Sequence, residues 1–254
     1  MLPILRVALA QVEQQATVER GIAQVMERTR QAAAAGAHLV VFPELSLTGY
    51  DLDRLDDNDA WFRVNDSRLD PLRELCQCAQ IAAVVGVAHL TDDGRRVLAS
   101  LLLHPDGTSV LAPKQHLHGR ERLLFDSGDA TEPVVLHGWR LGLAVCFDAA
   151  VPSHAQRLAD AGTDVYVVSA FYAAAEYERM SIHMAARAMD HRMYSLVANS
   201  ASRHRPVDSC GASGVWGPDG RCIARAEEPP TLLVADLDAA AVSSSRDLDR
   251  SNRD

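Results

Sequence analysis

The stretch Arg140-Leu-Gly-Leu-Ala-Val-Cys-Phe-Asp148 decides the fold. Its apolar run reads as a short buried strand that enters a sharp turn, with Cys146 at the strand's last position. Pro152 to Ala161 then reads as a helix stopped by Gly162, and Asp164 to Ser169 as a second buried strand. Strand, turn, helix, strand puts a thiol at the carboxyl end of a central strand, where open α/β sheets bind ligands. A helix N-terminus beside the turn would favour the thiolate. A cysteine taken alone is more often an inert buried residue, so the reactive reading needs support from elsewhere in the chain.

Two other strand ends supply it. His38 to Phe42 is a β-branched and apolar strand that runs into the loop Pro43-Glu44-Leu-Ser-Leu-Thr-Gly-Tyr50. Ala82 to His89, Val97 to His104 and Thr108 to Leu111 form a meander, joined by Asp93-Gly94 and Pro105-Asp-Gly107 turns, and Lys114 follows its last strand. Glu44, Lys114 and Cys146 thus fall at equivalent strand ends and can converge on one pocket. Around these units, Ile4 to Gln11 reads as a strand and Thr17 to Ala35 as a helix. Asp51 to Asp59 reads as an exposed acidic loop, and Asp70-Pro71 as an N-cap and first-turn proline of a helix to about Gln80. Glu176 to Met193 is a helix, Ser195 to Asn199 a strand, and Ala212–Trp216, Cys222–Arg225 and Leu232–Leu237 a final meander. The chain reads as a single domain over 1–254, with a mobile or partner-packed tail from about residue 239. Strand–helix–strand units mixed with antiparallel pieces imply an α/β fold with helix-covered sheets.

Composition narrows the function. With 48% hydrophobic and 23% charged residues, the 254-residue chain can bury a sizeable core. A formal charge of −9 and no basic stripe argue against nucleic acid as a partner. Five cysteines, an odd number, suit a reducing compartment better than a disulfide framework. The first residues lack a signal-peptide pattern, and no apolar run reaches the ~20 residues that span a bilayer, so a soluble cytoplasmic protein is expected. Lys114 is the only lysine among 25 Lys and Arg residues. Genome bias is the plain reading of that aversion, yet the one lysine falls where the chemistry below needs an ammonium.

The chain resembles the nitrilase, or carbon–nitrogen hydrolase, superfamily, on its amidase-like branch. The matching stretches are Phe42-Pro-Glu-Leu-Ser-Leu-Thr-Gly-Tyr50, Pro113-Lys-Gln-His-Leu117 with Glu121 and Phe125, and Val145-Cys-Phe-Asp148 with Pro152. Arg187 with Asn199, Gly211-Ala-Ser213 with Pro218-Asp-Gly220, and Ala235-Asp-Leu-Asp238 continue the series in the family's order. Each motif alone is weak; their order and spacing from Gln11 to Asp238 carry the signal. The resemblance implies a four-layer αββα sandwich that usually dimerises so that the layers stack. It also implies a Glu44–Lys114–Cys146 triad with Glu121 in support, and no metal or organic cofactor.

The chemistry can be argued from the residues. A free cysteine with a pKa of ~8.5 is mostly protonated at neutral pH and needs a base, here Glu44. The Phe147 N–H and the Lys114 ammonium would meet the developing oxyanion. One carboxylate acting as base, acid and base again needs a pKa nearer neutrality than an exposed glutamate has. Glu121 would pair with Lys114 or position Glu44. Tyr50, Phe147, Phe171 and Tyr172 are the candidate pocket walls, suited to a small, partly apolar acyl group.

Other readings fit less well. No histidine context after Cys146 matches a papain-like pair. His116-x-His118 and Cys76-x-Cys78 are weak metal spacings. His183, Arg187 and His191 share a helix face that reads as packing. A non-catalytic module would be expected to have lost a triad member. Three departures from the family pattern are Ser153 after the proline, Asp190-His191 in the late helix, and Arg203-His-Arg205 where a glycine is usual; the last reads first as solvated loop charge, and second as an arginine at the pocket mouth for a substrate carboxylate. The expectation is a thiol hydrolase of small linear amides, of aliphatic or ω-amidase type. N-carbamoyl amino-acid or carbamoyl-amine hydrolysis comes second and nitrile hydrolysis third.

Overall fold

The computed structural model describes residues 2–55, 58–201 and 208–251. In chain order these form β1 (Leu5–Gln11), α1 (Val18–Ala34), β2 (Leu39–Val41), β3 (Trp61–Phe62), α2 (Asp70–Ala79), β4 (Ala82–Leu90), β5 (Arg96–Leu103) and β6 (Ser109–Pro113). There follow β7 (Val134–Leu136), β8 (Trp139–Val145), α3 (Pro152–Asp160), β9 (Val165–Ala170), α4 (Tyr177–His191) and β10 (Tyr194–Asn199). The last elements are β11 (Gly214–Trp216), β12 (Cys222–Arg225), β13 (Thr231–Leu237) and α5 (Ala239–Ser251).

Two sheets result. The first runs β13-β1-β2-β4-β5-β6, with β3 added against β4; the second runs β12-β11-β10-β9-β8-β7. Strand alternation sorts the side chains. Leu5, Val7 and Leu9 of β1 point between the sheets, where they join Val41, Val84, Leu141, Leu143, Val167 and Leu196. Ala8 and Ala10 of the same strand point outward to Val25 and Ala32 of α1 and Leu72 and Cys76 of α2. On the second sheet, Tyr166, Val168 and Val197 face Ala155 and Leu158 of α3 and Met180, Met184 and Ala188 of α4. Central strands buried on both faces read as continuous apolar runs for this reason. The layers are helix, sheet, sheet, helix, the expected four-layer αββα sandwich.

Four details differ from the sequence reading. The strand before the thiol ends at Val145, and Cys146 opens a 3₁₀ turn over Cys146–Ala150. The acidic stretch after Tyr50 is no plain exposed loop: it carries 3₁₀ turns at Leu52–Arg54 and Asn58–Ala60, and Leu55 and Ala60 are buried against Trp61. Asp70 is the first residue of α2 rather than its cap; Asp66 caps the preceding 3₁₀ turn by accepting the Arg68 N–H at 3.0 Å. The last three strands are no meander, because β13 leaves β12 and pairs antiparallel with β1 in the other sheet. An Arg6–Asp236 ion pair at 2.7 Å lies across that register. The residues after Asp238 form α5, with Val242 buried and Arg246 on Asp164 at 3.0 Å.

Candidate active site

Parallel pairing aims the carboxyl ends of β8, β9 and β10 one way in the second sheet. In the first sheet β2 and β4 are parallel, and β6, antiparallel to β5, runs with β4. Glu44 leaves after β2, Lys114 directly after β6, Cys146 directly after β8, and Phe171 directly after β9. The candidate site therefore lies where four strand ends of two sheets meet.

Lys114 is fully buried, and its Nζ lies 2.7 Å from Glu44 Oε1 and 2.7 Å from Glu121 Oε1. Glu121 sits on a 3₁₀ turn, Gly119–Leu123; its Oε2 accepts the His118 N–H at 2.8 Å and its Oε1 accepts the Tyr50 hydroxyl at 2.7 Å. Glu44 is wholly buried, and its Oε2 takes no hydrogen bond among the described residues. Burial raises the Glu44 pKa to about 7; the Lys114 charge opposes that rise and the Glu121 charge adds to it. Burial alone would discharge Lys114, but the carboxylates of Glu44 and Glu121 overcome it and hold the ammonium well above its ordinary pKa.

Cys146 has φ +46°, a left-handed conformation costly for a residue with a Cβ and often found at functional turns. Its Sγ donates to the Phe171 carbonyl at 3.7 Å. A helix start beside the turn would favour the thiolate, but the surroundings of Cys146 oppose it. Burial, with the Glu44 carboxylate beside it, pushes the Cys146 pKa well up, and Lys114 offsets only part of this. The helix dipole gives little help, because α3 starts at Pro152 with the 3₁₀ turn in between.

The pocket encloses about 30 Å³ and is lined by Tyr50, Phe147, Phe171 and Tyr172 together with His118, Glu121, Cys146 and Ala150. All four aromatic residues expected at the walls are thus brought together. Tyr50 and Phe171 stack at 4.8 Å, and His118 packs on Phe147 at 4.9 Å. The Tyr172 hydroxyl reaches the Cys146 carbonyl at 3.4 Å, and its N–H donates to Asn199 Oδ1 at 2.8 Å. Asn199 Nδ2 in turn donates to the Gly211 carbonyl at 2.7 Å, tying the β10 end to the loop before β11.

Glu176, Arg179 and His183 of the α4 region also line the pocket, and Arg179 pairs with Glu176. Sequence reasoning missed this row. It grouped His183 with Arg187 and His191 as a packing face; Arg187 does pack, buried and donating from Nε to the Ala149 carbonyl at 3.0 Å behind the Cys146 turn, whereas His183 reaches the pocket. Residues 176, 179 and 183 share a helix face by spacing, which was the available signal. Cys76 is buried and Cys78 exposed, so they cannot share a metal; among the described residues no group of three or more His, Cys, Asp or Glu could hold a metal ion. Arg203-His-Arg205 lies outside the described residues. No described helix is long and apolar enough to cross a membrane.

A family model described as carbon-nitrogen hydrolase matches residues 6–247. The chain is 30% identical over 235 residues to the "hydrolase in pqqF 5'region" of Pseudomonas protegens, covering 90% of this chain and 82% of that protein. It is 26% identical over 225 residues to an (R)-stereoselective amidase of a Pseudomonas species, covering 87% of this chain and 81% of that one. A crystal structure of an amidase from a Nesterenkonia species superposes with TM-score 0.83 at 24% identity, over 98% of this chain and 95% of that one. The match over nearly the whole chain places it: this protein belongs to the carbon–nitrogen hydrolase family.

Proposed function

We propose that this carbon–nitrogen hydrolase is a thiol amidase for small linear amides, with Cys146 as nucleophile, Glu44 as general base and acid, and Lys114 as oxyanion donor. The observation that carries the reading is the Lys114 ammonium held 2.7 Å from each of two buried carboxylates beside a buried thiol. Such a group is kept charged in a dry site, where charge stabilisation is strongest.

The steps follow from the groups present. Glu44 takes the thiol proton as sulfur attacks the amide carbon. The oxyanion is met by Lys114 Nζ and the Phe147 N–H, which lies among the first amides of the 3₁₀ turn, where no partner exists within the turn. Collapse breaks the C–N bond, Glu44 returns its proton to nitrogen, and ammonia leaves a thioester. Water, deprotonated by Glu44, attacks that thioester and releases the acid and the thiol. Amide and water become acid and ammonia. A base with a pKa of about 7 suits both proton transfers at neutral pH. Glu121 keeps Lys114 placed and charged, and Tyr50 orients Glu121.

A cavity of about 30 Å³ between aromatic walls supports a short acyl group. Arg179 at the wall supports an acyl chain ending in a carboxylate, as in an ω-amide, which would compete with Glu176 for the guanidinium. We assign a homodimer contact to the outer face of α4, where Ile182 and Met189 are 66% and 47% exposed. Five free cysteines suit a reducing, cytoplasmic setting. The test is ammonia release from a panel of aliphatic amides, ω-amides of dicarboxylic acids, ureides and nitriles. Turnover of amides, lost in Cys146→Ser, is expected; turnover of ureides or nitriles alone would replace the amidase reading.

A further inference from the structure

Lys114 and Cys146 come from different sheets, so their separation depends on a tie between two loops. One carboxylate supplies it. Asp148 is buried, two residues after Cys146. Its Oδ1 accepts the N–H groups of Gln115 at 3.2 Å and His116 at 2.9 Å, and lies 2.9 Å from His116 Nδ1. Its Oδ2 accepts the Val145 N–H at 3.1 Å. The first set of donors begins one residue after Lys114; the last donor is one residue before Cys146. Behind the carboxylate, buried His154 of α3 places Nε2 3.8 Å from Oδ2, and its Nδ1 is 2.9 Å from the Tyr166 hydroxyl of β9.

We propose that Asp148 is a positioning residue that sets the spacing of Lys114 and Cys146 by clamping both chain segments, with His154 and Tyr166 backing it. The inference rests on the assignment of Lys114 and Cys146 to the reaction. Only a carboxylate can do this job at this point. Both of its oxygens face N–H donors: Oδ1 accepts two backbone amides beside His116 Nδ1, and Oδ2 accepts the Val145 amide. An asparagine presents one acceptor oxygen and turns an NH₂ toward a donor at the other, so one segment must be released.

The test is Asp148→Asn. Misplacing a reacting group by about 1 Å costs about 10²-fold, so kcat should fall by about that factor while KM changes little. Release of Lys114 should also move the acid limb of the pH profile upward, because the lysine charge holds the Glu44 pKa down. A structural role alone would lower thermal stability and leave both readouts unmoved in the folded enzyme; that result overturns the proposal. Should the variant not fold, hydrogen exchange on the wild-type protein decides. Slow exchange at the Gln115 and His116 amides is expected, and fast exchange shows that the clamp is not made. Cys146→Ser is measured in parallel. Its inactivity beside a fully active Asp148→Asn sinks the positioning role alone, whereas an active Cys146→Ser sinks the site assignment and the proposal with it.

Discussion

Gly86 of β4 lies directly under the Glu44 loop: a Cβ added there would stand 2.3 Å from the Leu45 nitrogen, 2.4 Å from the Pro43 oxygen and 2.8 Å from the Glu44 carbonyl carbon. The loop is bonded to the same spot, with the Gly86 N–H donating to Ser46 Oγ at 2.9 Å and the Leu47 N–H to the Gly86 carbonyl at 3.2 Å. Close contact with backbone atoms cannot be relieved by turning a rotamer. Gly86→Ala should therefore lift the loop and carry Glu44 away from Lys114. We expect a folded protein destabilised by about 1–3 kcal/mol and a loss of about 10²-fold in kcat from the displaced base. Thermal melts and steady-state rates check both; an alanine variant with wild-type kcat would show that the loop position does not set the chemistry.

Glu44 makes a pH prediction of definite sign. Its folded pKa is raised, from 4.5 to about 7, chiefly by burial. The folded state therefore holds this proton more tightly than the unfolded one. The resulting stability is fully present below about 4.5 and is lost as pH rises through about 7. Glutamine keeps the neutral shape at every pH. Glu44→Gln should thus gain on wild type between pH 5 and pH 8 by at most about 3 kcal/mol, at about 1.4 kcal/mol per pKa unit. Urea midpoints at the two pH values measure this, and an equal difference at both would contradict the buried, titrating carboxylate. The same variant should lose at least ~10²-fold in turnover. Alkylation of Cys146 by iodoacetamide should follow a titration near pH 7 in wild type, the base's own, and lose that inflection in Glu44→Gln.

Much of this site could be read along the chain because its parts follow strands directly. Glu44, Lys114 and Cys146 each come within three residues of a strand end, and strand ends are visible as breaks in apolar runs. What failed was non-local. β13 reads like a third strand of a meander, yet its partner is β1, more than two hundred residues earlier; nothing within the local pattern selects it. The α4 face that meets the pocket depends on how α4 packs beside α3, so the 176, 179, 183 row had no privileged status in the sequence. The help to the thiolate expected from a helix start rested on α3, which begins only at Pro152, whereas burial and the Glu44 carboxylate from the other sheet act against it. Asp148 looked like one more motif residue because its donors lie about thirty residues upstream.

The outer face of α4 carries Ile182 and Met189 exposed to 66% and 47%, with Ile223 of β12 at 51%. If the proposed homodimer contact lies on this face, one charge at its centre should break it. Ile182→Glu should run as a monomer in sedimentation at concentrations where wild type is a dimer, with little change in the monomer's own stability, since an exposed side chain contributes little to its core. An unchanged dimer would move the contact to another face, and a wild-type monomer would remove it.

Lys114 gives the sharpest contrast between a reactive and a surface lysine. It is the only lysine of the chain, and it is completely buried between two carboxylates. Lys114→Arg must fit a broad planar guanidinium into a slot shaped for one nitrogen on a thin stem. Overpacking of this kind costs about 1–3 kcal/mol, and a misplaced oxyanion donor costs roughly 10²–10³ in turnover. We expect both losses together, read from a melting curve and from kcat on the best amide of the panel. A surface lysine would show neither. Chemical modification then separates burial from function. Reductive methylation needs an exposed, neutral amine, whereas the flanking carboxylates keep Lys114 protonated and closed off from solvent. In the native protein the reagent should therefore modify the α-amino group alone and leave activity intact. After denaturation Lys114 should be dimethylated, and the protein so treated should not recover activity on refolding, because a dimethylated ammonium keeps one N–H where Glu44 and Glu121 each accept one and its methyl groups do not fit the buried slot. Rapid methylation of Lys114 in the folded protein, with activity retained, would place this side chain outside the reaction and leave the Phe147 N–H as the one proposed oxyanion donor.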